Sequence, residues 1–254
     1  MGATRIAAGF VCAGSCAAAA GASEAQQGTA AGDGLFESYR VELNGTRGHF
    51  VSVGNVPVSQ ETDFSSEAAV DVPELWEERS FDELVAGPSS ARSSFEASIE
   101  SSPTMLSGRL DVSAEAFSEL DGGGSSSRAF HDLNIAAENL DVVGNVIVRL
   151  DGSASVGGFG RSTLTYVFRS DEFTERGSIR EDLNGGINLL FENVQLSFFD
   201  ISLTARTEAG TDSPVTNASA DLTADWSVEI FPIPTPGSAV GVGCLGLLAM
   251  RRRR

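Results

Sequence analysis

Apolar residues recur at every second position through much of this 254-residue chain, a period that fits strands with one buried face rather than helices. Within 106–117, Leu110, Val112, Ala114 and Ala116 share one face, and Ser94-Phe95-Glu96-Ala97-Ser98-Ile99 alternates in the same way. Further runs read as strands cover 39–43, 49–53, 128–135, 144–150, 162–169, 188–207 with a bend or break near Asp200, and 218–230. Asn44-Gly45 between the first two of these predicts a hairpin turn. Pro73 to Ala86 predicts one short helix: Pro stands in its first turn, Glu74, Glu77 and Glu78 come early, and Gly87-Pro88 ends it. Gly122 to Ser127 predicts a flexible loop. The whole predicts an all-β fold over 35–230: a single antiparallel β-sandwich with a jelly roll as its candidate topology and one short helix.

Charge narrows the partners. All 17 basic residues are arginines, and five of them, Arg5, Arg251, Arg252, Arg253 and Arg254, lie at the two ends, whereas all 35 acidic residues lie at or after Glu24. A domain with that excess of carboxylates repels phosphate backbones, so nucleic acid is excluded as a partner and cations, neutral glycans or proteins are favoured. The lack of lysine removes Schiff-base chemistry and the P-loop. Cys12, Cys16 and Cys244 also fall in the end segments, so the domain has no thiol nucleophile and no disulfide.

Residues 1–22 read as a signal peptide for signal peptidase: Arg5 precedes an uncharged stretch, and Ala20 and Ala22 form the small-residue cleavage pattern. Residues 23–34 read as a flexible lead-in. At the other end, Phe231-Pro232-Ile233-Pro234-Thr235-Pro236 is proline-spaced, Gly237 to Met250 is uncharged, and Arg251, Arg252, Arg253 and Arg254 follow. As a helix the uncharged stretch would reach ~21 Å, short of a hydrocarbon core of about 30 Å. This suits a temporary stop, with an ordinary permanent anchor in the inner membrane as the alternative and the four arginines on the cytoplasmic side in either case.

This order of parts, over 231–254, resembles the PEP-CTERM sorting tail, with Pro234, Thr235, Pro236 and Gly237 as a planctomycete-like form of its motif. The resemblance implies an exosortase-like membrane protease that cuts near the motif. It also implies transient use of the membrane through the tail and delivery to the cell surface or an extracellular polysaccharide matrix.

Few residues carry chemistry. His49 and His131 are the only histidines; His131-Asp132 offers two ligands or a base and its orienter, with a half-exposed strand histidine as the simpler reading. Asp121 and Asp151, placed before or between strands, are weak candidates for Ca2+, the hard cation that carboxylates and loop carbonyls suit. Tyr39, Trp76, Tyr166 and Trp226 supply the amphipathic rings. Trp226 reads as core and Trp76 as the better glycan platform, although half-buried packing is the stronger reading for it. No cofactor and no catalytic residue is expected. The expected function is a non-enzymatic, exported, surface-sorted β-domain of the matrix or envelope that binds glycan, cation or protein. The alternative is a secreted carbohydrate-active enzyme using a carboxylate pair.

Overall fold

In a computed structural model of the chain, residues 36–53, 56–72, 74–118, 124–180, 185–211 and 217–233 are described, and among them there is no helix. The alternation is realised in ten strands: β1 (Ser38–Val53), β2 (Val56–Asp71), β3 (Leu75–Ala86), β4 (Ser89–Ser102), β5 (Met105–Phe117), β6 (Gly124–Gly157), β7 (Arg161–Ser170), β8 (Thr174–Arg180), β9 (Gly185–Gly210) and β10 (Asn217–Pro232). Every pairing is antiparallel.

Two strands are long enough to serve both layers. The first half of β6 lies between β1 and the second half of β9, and its second half lies between β10 and the first half of β9. One layer is therefore ordered β2-β1-β6-β9-β7-β8 and the other β3-β4-β5-β10-β6-β9. The layers meet face to face, β4 against β1 and β6, β5 against β9, and β10 against β7. The change of layer falls where the ladder slips, between Glu138 and Val142 and between Gly144 and Val146. Asn139, Asp141 and Asn193 hold positive φ there, a backbone that short polar side chains tolerate better than others.

The core fills the space between layers with Leu43, Leu133, Phe168, Phe199 and Ile201 on one side and Phe95, Leu110, Leu150 and Trp226 on the other, each at most 3% exposed. Burying each side chain of this kind contributes about 1.5–3 kcal/mol before entropy is counted. Leu110, Val112, Ala114 and Ala116 do share a buried face.

Four local expectations are corrected. Residues 75–86 form the edge strand β3, paired along its length with β4; Gly87-Pro88 is the turn between them, with Gly87 at φ 59°. Apolar residues sit on both faces of this edge, Trp76 and Leu84 inward and Leu75, Phe81 and Val85 outward, which hides the period of two. Asn44-Gly45 is strand rather than turn, because β1 continues between β2 and β6. A Cβ on Gly45 would run into the Phe64 ring, so glycine answers a close packing contact there. The runs at 128–135 and 144–150 are halves of the single strand β6, which already begins at Gly124 inside the expected loop. The break in β9 is at Asn193, while Asp200 pairs regularly with Ala136 and Arg169.

Candidate functional site

Between Leu43 and Val51, the inward positions of β1 are Gly45, Arg47 and His49. One end of the sandwich therefore has a polar interior. Arg47 is 1% exposed and His131 is 0% exposed, and His49, Ser93, Ser127 and Thr207 are buried with them. His131 stacks on Phe95 at 4.4 Å and tilts against Phe64 at 5.2 Å; the Arg47 guanidinium lies 4.7 Å over the same Phe64 ring. Asp82 on β3 accepts a hydrogen bond from Gln60 at 2.9 Å and faces His49 Nε2 at 3.7 Å, with Ser93 Oγ 3.5 Å from that nitrogen. Burial, and secondarily the Arg47 charge, pushes the His131 pKa down to about 3. Burial lowers that of His49 as well, against the pull of Asp82. Both imidazoles are neutral at pH 7, which is the form a dry interior favours.

The opposite side of the same strands faces out. Along it, Asn44, Asp132, Thr204 and Thr165 stand in register on β1, β6, β9 and β7. Asp132 accepts from Thr204 at 2.9 Å and from Asn134 at 3.3 Å. Two shallow hollows lie along this face. One, of about 290 Å3, is lined by Arg40, Glu42, Asn134, Arg169, Asp200 and Ser202; the other, of about 240 Å3, by Thr46, Glu61, Arg128, Phe130 and Arg206. In the first, Arg40 pairs with Glu42, and Arg169 with Asp200 at 2.9 Å, so two of its carboxylates are held by arginine. The other layer shows the same ladder chemistry: Arg92 with Glu115, Arg79 with Glu96 at 2.8 Å, and Arg149 with Glu229 at 3.6 Å. Neither hollow sets facing carboxylates over an aromatic floor.

Strand alternation separates His131 from Asp132: the histidine is in the core, not half-exposed, and the aspartate is on the outer face. The base-and-orienter pairing is thereby ruled out as a geometry. Asp151 lies inside β6, paired with Asp225 and Gly186, rather than in a loop. The glycine after it faces inward, where a Cβ would come 2.5 Å from Ile179. Among the described residues no three His, Cys, Asp or Glu side chains cluster as metal ligands. Tyr39, Tyr166 and Trp226 are buried, and Trp76 is half-buried against the core. The expected signal-cleavage residues Ala20 and Ala22 and the weak cation candidate Asp121 lie outside the described residues. So do the expected sorting motif Pro234, Thr235, Pro236 and Gly237 and the expected cytoplasmic anchor Arg251, Arg252, Arg253 and Arg254; β10 itself runs to Pro232. Sequence reading missed Arg47, yet its signal is present: it is a charge at an inward-facing position between Leu43 and Val51.

No family model matches the chain, and no curated protein matches it. One similar solved structure is the carbohydrate-binding module TmCBM61 in complex with β-1,4-galactotriose, at 15% identity and a TM-score of 0.20, over 48% of this chain and 71% of that chain. A likeness at that score places no ligand here.

Proposed function

We propose that the protein is a non-catalytic β-sandwich module, exported and sorted to the cell surface or its matrix, that binds neutral glycan across the outer face of β1, β6, β9 and β7. The observation that carries the binding reading is the row Asn44, Asp132, Thr204 and Thr165 between two hollows of mixed polar and apolar lining. Amides, hydroxyls and a carboxylate held by its neighbours offer donors and acceptors at strand spacing, which suits a chain of sugar hydroxyls. Phe130, 44% exposed and in register with Arg206, adds an apolar surface for a sugar face. The arginine–carboxylate ladders support a non-catalytic reading, because a hydrolase needs one carboxyl protonated and another free to attack or to activate water.

Affinity electrophoresis of the wild type through gels containing neutral polysaccharides tests this. At least one polysaccharide is expected to retard it, and Asp132→Ala with Thr204→Val is expected to weaken that retardation about tenfold, the loss of one or two good hydrogen bonds. Unretarded wild type in every gel, or an unchanged double variant, overturns the glycan reading. Sorting is tested separately. In the native host, surface-exposed protein is expected to have a C-terminal mass lacking Arg251, Arg252, Arg253 and Arg254, and a mass that retains them defeats the proposed tail.

A further inference from the structure

We propose that Arg47 holds a small monovalent anion, such as chloride, between the two layers at the polar end of the sandwich. A guanidinium does not shed its proton in a protein, so a buried one needs a compensating charge or acceptor. Among the described residues, Arg47 Nε and Nη2 have no acceptor and no carboxylate forms an ion pair with the guanidinium. Asp82, the charge of opposite sign that acts on Arg47, accepts from Gln60 through Oδ1, while its buried Oδ2 faces His49 Nε2 at 3.7 Å without a hydrogen-bond partner and forms no ion pair with Arg47. Phe64 covers one face of the guanidinium but accepts nothing from its in-plane N–H groups.

The surroundings hold further unsatisfied polar groups, some of which can donate. In the ladder, Arg47 and Thr207 flank Ala129 on the two neighbouring strands, and His131 follows two residues along β6. Thr207 Oγ1 and both ring nitrogens of His131 lack partners as well; the hydroxyl and the single N–H of the neutral imidazole can donate. These groups gather around the Ala129 methyl. The facing layer is also small-sided: Ser93 approaches His49, and Ala114 packs with Ala209. Unmatched donors around a fixed positive charge fit a species that only accepts. A water molecule would satisfy the donors and leave the charge uncompensated, while a metal cation would be repelled by Arg47.

Crystals of the full chain grown in bromide in place of chloride provide a direct test: an anomalous peak is expected within hydrogen-bond reach of Arg47 Nε or Nη2. In parallel, thermal unfolding of the full chain is measured against chloride at constant ionic strength. A hundredfold excess over Kd should raise Tm by roughly 5–10 °C, and Arg47→Met should abolish that rise. Absence of the bromide peak, with only water at Arg47, overturns the proposal. So does a chloride response that persists in Arg47→Met. Should that variant fail to fold, the wild-type bromide map decides alone.

Discussion

Lowering the pH from 7 to 4 is expected to cost the protein on the order of 3 kcal/mol of folding stability through His131 alone. In the unfolded chain this imidazole titrates near its ordinary 6.5; in the fold, burial between Phe95 and Phe64 and the nearby Arg47 hold it at about 3. Across that window the unfolded state binds the extra proton. The contribution is thus complete above pH 6.5 and drains away as the pH falls towards 3. His49 acts in the same direction. Asp221, whose carboxyl is raised by burial, acts in the opposite one, since the folded state then keeps its proton to higher pH. Comparison with a variant separates these contributions. Denaturant unfolding of His131→Leu at pH 7, 5.5 and 4 should show a fall smaller than the wild type's by about the same 3 kcal/mol. Parallel losses in the two proteins would mean that His131 is not the group responsible.

That acid sensitivity rests on a residue whose place in the chain was readable only in part. Alternation marks 128–135 as strand, and on strict parity His131 belongs to the face of Ala129 and Leu133, the buried one. What local pattern does not contain is the neighbours: Phe95 comes from β4 in the facing layer, and Phe64 from β2, two strands away in the same layer across Gly45. The same division holds elsewhere. Strands buried on one face, such as β5 and β10, announce themselves through Leu110 and Val112 or Ala224 and Val228. Edge strand β3 does not, because Phe81 and Val85 remain exposed and its glutamates and opening proline mimic a helix start. Asn44-Gly45 misleads for a related reason: the glycine serves contact with Phe64 across the ladder, and sequence shows a glycine without showing what approaches it. The outer row through Asp132 was legible only as a candidate pair with His131. Its true neighbours, Asn44, Thr204 and Thr165, depend on the register of three other strands.

Trp226 is where a single substitution should cost most. It is 3% exposed on β10, directly opposite Gly108 of β5, and a Cβ on that glycine would lie 2.5 Å from the indole Cζ2. The ring thus occupies the space that any other residue at 108 would need. Trp226→Ala is expected to destabilise the fold by about 3–5 kcal/mol, the range for emptying a large buried aromatic site. Trp226→Phe should cost far less, below about 1.5 kcal/mol, as a smaller ring that keeps most of the packing. Both variants remove the indole N–H, and neither breaks a hydrogen bond by doing so, since Nε1 has no partner among the described residues. Urea unfolding of the two variants at pH 7 checks the ordering. Equal losses in both would show that the site depends on the indole itself, through a polar contact absent from this packing, and not on the volume it fills against Gly108.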